Sequence, residues 1–446
     1  MSFSVSALQS VLASHERRAG KPARYIVAFS GGLDSTVLLD ALSALSKGAG
    51  NSDVPIVAVH VDHGLQPDSA DWSRHCEGVA AGLGVEYRCL SVNVQLESGK
   101  GPEAAAREAR YTALRSVMQA GDWLLSAHHR EDQAETLLLN LVRGSGPAGI
   151  AGIGAARRLG PGWLLRPLLG IERAALQSYA ETANLHWLED PSNRDRRFER
   201  NFLRHDIVPR LKARWPDIAT RLQRSARHAG EASELLNELA AIDLKMLGDR
   251  PERLPIDALL ELSAARQRNV LRFALRQLRL STPTAIQLNR ILEEVLQARP
   301  DAEPLVQWPG ACVRRYRNRL YLLPEELGQR PAATAIAGRN VELGAGLGTL
   351  RFEPGTKNGL SEALFNDQLR LEFRQGGEEF KPVGHRHTRK LKKLLQEEGV
   401  VPWMRDRLPL LYSGERLIAV ADLWLAADAV ADTGFCVRWQ QRPALH

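Results

Sequence analysis

The stretch from Tyr25 to Ser35 reads YIVAFSGGLDS, and it decides how the first part of the chain folds. Tyr25–Ser30 is a short apolar run that ends at a glycine pair, Gly31 and Gly32. From Leu33 to Leu45 the apolar spacing turns helical. A strand that feeds a helix through glycines leaves unpaired N–H groups at the helix start, where the dipole is positive. Glycine lets the backbone approach an anion closely, and the Ser30 and Ser35 hydroxyls add donors. The run is neither the G-x-x-x-x-G-K-S/T of a Walker loop nor G-x-G-x-x-G. The competing reading is a plain tight turn with Asp34 near the helix cap. A second glycine run, Gly344–Gly348, has no helix after it and reads as a loop.

Outward from this turn, Pro55–Val61 is a second buried-strand candidate, Val85–Leu90 a weaker third and Asp122–Ala127 a fourth. Helical patterns fill the gaps, including Pro102–Gln119 and Glu131–Leu141. This alternation predicts an α/β fold, doubly wound around a mainly parallel sheet. Ligands in such sheets bind at the carboxyl ends of the strands. Near Trp215 the texture changes: Ile218–Leu247 and Pro255–Gln297 are rich in Leu, Ala, Glu and Arg at helical spacing. Pro324–Gly359 carries Gly, Ala and Pro with little periodicity. Leu369–Val437 reads as a small α+β unit with a basic helix at Thr388–Glu398. The expected division is an α/β domain over 1–215, a helical domain over 216–325, a linker with some strand over 326–368 and an α+β domain over 369–446.

The chain has 446 residues, enough for about three domains. Its hydrophobic fraction of 44% and charged fraction of 25% exclude disorder, collagen and coiled coil as global descriptions. A net charge of +7 permits a nucleic-acid partner without requiring one. Cys76, Cys89, Cys312 and Cys436 form no C-x-x-C pair, which argues against zinc ribbons and dithiol chemistry. Met1–Gly20 shows no leader pattern and no stretch is apolar enough to span a bilayer, so the expectation is a cytoplasmic protein without membrane contact.

The S-G-G-x-D-S signature of Ser30–Ser35 resembles the pyrophosphatase-loop family of ATP-using enzymes. Further segments narrow the likeness: Val61-Asp62-His63-Gly64-Leu65, the run Ala127–Thr136 (AHHREDQAET), Arg143-Gly144-Ser145-Gly146, Arg166-Pro167-Leu168-Leu169, Trp187–Asn193 (WLEDPSN) and Arg200-Asn201-Phe202-Leu203-Arg204. In this order they resemble the tRNA(Ile)-lysidine synthetases, closely from Arg24 to Leu211 and more loosely over Gly376–Trp424, where Arg389-Lys390-Leu391-Lys392 and Pro402-Trp403 fall. One departure stands out: Glu131 takes the place of the first of two aspartates usual before the glutamine.

The resemblance implies an adenine-nucleotide α-hydrolase-like catalytic domain and two tRNA-binding domains. It implies that ATP activates the wobble cytidine of the CAU-anticodon isoleucine tRNA as an adenylate. The ε-amine of free lysine then displaces AMP, giving lysidine, AMP and pyrophosphate. ATP contacts are implied for Ser30, Gly31, Gly32, Leu33, Asp34, Ser35 and His63.

The residues support parts of this on their own chemistry. A lysine ammonium must be held and then deprotonated, tasks that suit carboxylates. Asp132 and Glu135 are three apart on one helix face and are the candidates for lysine binding; the alternative is a solvated face. Asp34 and Asp132 also suit the Mg²⁺ that normally accompanies ATP, and spacing does not separate the two roles. Arg107 and Arg110 supply positive charge for the phosphates, or pair with Glu103 on the same helix; the resemblance favours a catalytic part. Arg194, Arg197, Arg200 and Arg204 lie in an arginine-rich run, and Arg389, Lys390, Lys392 and Lys393 in a second basic patch. Both suit tRNA, although a charge run is more often a solvated face.

Three other functions are weighed against this one. A tRNA-thiolating enzyme of the same fold would use cysteine pairs, which are missing from the sequence. A metal-dependent phosphoesterase would use His60, Asp62, His63, His128, His129 and Asp132 as ligands, leaving the Ser30–Ser35 loop unexplained. A non-catalytic RNA-binding protein would consume no ATP.

Overall fold

The apolar run at Tyr25 becomes strand β1 (Arg24–Ala28), and Leu33–Lys47 follows it as a helix. The computed structural model describes residues 3–48, 54–64, 69–92, 102–299, 302–325, 331–336, 338–344, 346–355, 359–366 and 369–445. They form two units, Met1–Leu235 and Leu236–His446, whose boundary falls within the helix Ile218–Met246.

In the first unit the helices are α1 (Val5–Ala19), α2 (Leu33–Lys47), α3 (Ser69–Leu83), α4 (Pro102–Ser116), α5 (Arg130–Val142), α6 (Pro147–Ile150), α7 (Arg173–Thr182), α8 (Glu199–Phe202), α9 (Val208–Arg214) and α10 (Ile218–Met246). The other strands are β2 (Ile56–Asp62), β3 (Glu86–Ser91), β4 (Asp122–Leu125), β5 (Ala156–Leu159) and β6 (Gly162–Leu165). Among the described residues they make one sheet in the order β3-β2-β1-β4-β6-β5, parallel except for the β5–β6 hairpin.

Strand residues alternate between two buried faces. Tyr25, Val27, Trp123 and Leu125 pack with Leu38, Leu42 and Leu176 on one side. Ile26, Val57, Val59 and Leu124 pack with Leu114 and Met118 on the other. This is the period of two expected of a sheet covered on both sides. From β1 the chain winds outward to β2 and β3, and later returns to β1's other edge at β4. That reversal opens a crevice beyond the carboxyl ends of β1 and β4.

The second unit differs from the sequence reading in three places. The stretch expected to be helical also holds a four-stranded antiparallel sheet: Arg253–Pro255, Leu305–Trp308, Ala311–Tyr316 and Arg319–Leu323. Its hairpin turns at Pro309-Gly310, with Gly310 at φ +89°, a local signal that the helical spacing around it outweighed. Residues 326–368 are more than a linker. Thr349–Gly355 pairs along its whole length with Gly434–Gln440, and Gly359–Ser361 lies on the other edge of that strand. The glycines there mark close packing: a Cβ on Gly434 would fall 2.1 Å from Leu360 O. The basic helix is shorter than expected, Leu391–Glu398, because Arg389–Lys390 pairs as a strand with Glu379–Phe380.

Candidate active site at the ends of β1 and β4

The anion loop is built from both sides. Gly31 sits at φ +75°, and a Cβ there would lie 2.7 Å from Cys76 Sγ. Trp72 Nε1 donates to Ser30 O at 2.6 Å, and Leu188 N donates to Gly31 O at 2.9 Å. The Ser30 and Ser35 hydroxyls lie 3.0 Å apart, and Ser35 Oγ donates to Gly32 O. Helix α2 is capped by Gly32 with no side-chain hydrogen bond. The plain-turn reading with Asp34 at the cap therefore gives way to an open helix start, the arrangement an anion needs.

Asp34, in the first turn of α2, faces the start of α5. His129 caps α5 and lies between acids: its Nε2 is 3.7 Å from Asp34 Oδ2 and 3.5 Å from Asp132 Oδ2, and its Nδ1 is 3.3 Å from Glu131 Oε2. Burial works against the imidazolium, but Glu131, Asp132 and Asp34 outweigh it and hold His129 above its ordinary value. Burial raises the Asp34 carboxyl, with His129 opposing. Asp34 Oδ1 is buried and has no hydrogen-bond partner. Such an atom costs about 1–3 kcal/mol until something binds it.

Asp132 and Glu135 do share one face, and that face is buried, so the solvated-face reading is set aside. The two acids differ. Asp132 Oδ2 accepts from His129 N at 2.9 Å, while Oδ1 accepts from Arg204 Nη2 at 3.1 Å. Burial opposes the Asp132 charge, yet His129, His128 and Arg200 hold the group below its usual range. Glu135 is 1% exposed, and both its oxygens are taken by arginine: Arg204 Nε at 2.7 Å and Nη2 at 3.0 Å, and Arg200 Nε at 3.3 Å. Arg200 and Arg204, expected on a tRNA surface, thus point into the acid cluster. Their segment enters it through α8 and a π-helical turn at Leu203–Ile207.

Glu131 makes use of its extra methylene. Its oxygens accept from Lys212 Nζ at 2.9 Å and from Arg173 N at 3.0 Å, joining the start of α5 to α9 and to the start of α7. Burial would raise its carboxyl, but His129, Lys212 and Arg173 hold it well below the usual range. Sequence reasoning missed Arg173 and Lys212 as neighbours of the cluster. Only the His128-His129 pair at a strand end gave a signal.

Arg107 and Arg110 lie apart from the acids. Arg110 Nε donates to His63 Nε2 at 3.3 Å beyond the end of β2, and Arg107 rests over the Tyr111 ring at 5.2 Å. Burial lowers His63, with Arg110 adding to the effect. The side chains of Glu103 and Arg194, and the backbone of Leu65, lie outside the described residues. Asp195 pairs with Arg197, which is 90% exposed. Of the C-terminal patch, Lys390, Lys392 and Lys393 are exposed and Arg389 pairs with Glu397.

The histidines do not gather as metal ligands. His60 Nδ1 donates to Phe29 O at 3.0 Å, and His128 Nδ1 lies 2.6 Å from Ser126 Oγ. Burial pulls His128 down to about 3. Among the described residues no three His, Cys, Asp or Glu side chains are grouped to hold an ion, and no helix is long and apolar enough to cross a membrane.

The mainly parallel sheet and its open, glycine-lined helix start lie within residues 5–211, which match the family model for a PP-loop domain. Residues 254–321 match a TilS substrate binding domain and residues 369–439 a TilS substrate C-terminal domain. The chain is 42% identical over 429 residues to a tRNA(Ile)-lysidine synthase of Alkalilimnicola ehrlichii, covering 95% of each chain. It is 40% identical to one from Coxiella burnetii, covering 89% of this chain and 88% of that one. It is 41% identical to one from Methylococcus capsulatus, covering 91% and 92%. The chain belongs to the tRNA(Ile)-lysidine synthase family and is an enzyme with an ATP-utilising domain.

Proposed function

We propose that the enzyme joins free lysine to the wobble cytidine of the CAU-anticodon isoleucine tRNA in two steps at this crevice. The observation that carries the proposal is the meeting of the open loop Ser30–Ser35 with the Asp34–His129–Asp132 cluster, in which His129 and Asp132 are buried. In the first step the cytidine ring oxygen attacks the α-phosphorus of ATP, the bond to the β-phosphate breaks and pyrophosphate leaves. The loop N–H groups and hydroxyls hold phosphate oxygens, and Arg107, Arg110 and His63 stand at the neighbouring strand end where charge develops. In the second step the lysine Nε attacks the ring carbon, the carbon–oxygen bond breaks, AMP leaves and the amine gives up its proton.

Asp132 faces the lysine ammonium in this reading, and Glu135 acts through Arg200 and Arg204, which it fixes in place. The unpartnered Asp34 Oδ1 is a hard oxygen donor and fits Mg²⁺ held by one carboxylate together with substrate phosphates. When bound there, Mg²⁺ neutralises phosphate charge. Arg194 and Arg197, with the exposed lysines of the C-terminal patch, contact tRNA phosphates. Residues 216–325 and 369–446 are the tRNA-binding parts, and the cytoplasm, where tRNA and ATP meet, is the place of action.

The test supplies labelled lysine, ATP and the CAU-anticodon tRNA to the purified enzyme. One lysine bound covalently to tRNA for each AMP and pyrophosphate released supports the proposal. Hydrolysis of ATP to ADP, or labelling that ignores the anticodon, overturns it.

A further inference from the structure

Two phenylalanines beside the acid cluster have no core to join. Phe198 is 37% exposed and Phe202 47% exposed, whereas Phe3, Phe29, Phe352, Phe373, Phe380 and Phe435 are buried. Among the described residues neither belongs to a hydrophobic cluster. Phe198 is the cap of α8, and Phe202 N donates to Phe198 O at 3.0 Å, so the two are one helical turn apart on the same side. At the adjoining end of α5, Leu141 is 48% exposed and Val142 83% exposed, and the Arg143–Glu199 pair ties that end to α8.

The setting says what covers this surface. Phe202 lies two residues from each of Arg200 and Arg204, the arginines that reach Glu135, so the segment that carries the rings also lines the crevice where chemistry is placed. Residues 194–214 hold eight cations against three acids. Arg196 and Arg197, which precede Phe198, pair with Asp206 and Asp195 at the surface and remain 67% and 90% exposed. Exposed aromatic rings inside a cationic surface fit a partner that is polyanionic and flat-faced at once, which is an unpaired stretch of nucleic acid. A lipid or a protein helix would satisfy the rings but make no use of these exposed guanidinium groups.

We infer that Phe198 and Phe202 form a stacking surface for unpaired nucleobases flanking the reacting base of the substrate RNA loop. The inference rests on the tRNA proposal above. The rings bind bases rather than phosphates, so they fix how the loop lies while the arginines supply its charge-dependent affinity.

The test uses the full chain and a labelled stem-loop carrying the CAU anticodon, with 2-aminopurine beside the wobble cytidine. Wild type is expected to bind it and to quench the 2-aminopurine. The F198A/F202A variant is expected to bind roughly ten-fold more weakly, to lose the quench and to keep the salt slope of wild type, since no charge is removed. Tryptophan at both positions restores affinity and quench, which a general loss of structure would not allow. Unchanged affinity and quench in the alanine variant overturn the inference. So does wild-type self-association that the alanine variant abolishes, since the rings then face a second copy. If wild type fails to bind the loop at all, the tRNA proposal falls instead.

Discussion

The arginine run of residues 194–214 and the basic patch of residues 385–393 look alike in sequence and are used differently. In the first, Arg200 and Arg204 turn inward and neutralise Glu135 and Asp132, and Lys212 does the same for Glu131. In the second, Lys390, Lys392 and Lys393 stay in solvent on a short strand and helix. Composition cannot tell the two apart, because the deciding partners of the first run lie more than 60 residues away. Buried paired charges position groups for chemistry and are costly to break, whereas exposed ones contribute to affinity through phosphate contacts and little to stability.

The largest expected effect is at the loop that the inner cluster faces. Ser35→Ala or Asp34→Ala should lower pyrophosphate release by about a hundred-fold or more, with tRNA affinity retained in a filter-binding assay. Near-normal release in both variants would detach the loop from the chemistry.

Next comes the inner run itself. Glu135→Ala leaves Arg200 and Arg204 with Asp132 as their remaining carboxylate and should cost about 3 kcal/mol in denaturant unfolding. The paired change Lys392→Ala and Lys393→Ala should stay within about 0.5 kcal/mol of wild type while reducing the salt dependence of tRNA binding. Equal stability losses at the two places would erase the distinction between them. Point changes suit the outer patch better than truncation at Leu369, because Gly434–Gln440 completes a sheet with Thr349–Gly355.

A smaller loss than at Glu135 is expected at Glu131. Glu131→Gln should destabilise by about 1–3 kcal/mol at neutral pH. The native carboxyl is held below its ordinary value of 4.5, so its contribution is complete above that pH and is lost as pH falls through the lowered native value. The gap between wild type and variant, followed by thermal unfolding, should therefore be flat near neutrality and close in acid. A gap that widens in acid would contradict the three bonds assigned to Glu131.

Much of the first unit was legible because strand, glycine turn and helix follow one another locally. β1, β2, β4, α2 and α5 lie within a few residues of their expected places. The β5–β6 hairpin and the sheet at Arg253–Leu323 were not seen, since short strands carry too few alternations to outweigh neighbouring helical spacing. The site was half visible. Asp34, Asp132 and Glu135 stand out by type and spacing. That Glu135 is consumed by Arg200 and Arg204, and that Glu131 bridges three segments, depends on how α8 and α9 fold back over α5, which no local pattern records.

The proposed reaction turns on Asp132 serving the lysine step rather than the ATP step. Asp132→Asn keeps the side chain's size and removes its charge, so an ammonium placed there loses its partner. With labelled ATP, the CAU-anticodon tRNA and graded lysine, adenylated tRNA should accumulate and the apparent KM for lysine should rise by about ten-fold or more, an effect of the size expected for a hydrogen bond to a charged group. Adenylation that collapses and returns with excess Mg²⁺, or a variant in which neither step changes, would contradict it.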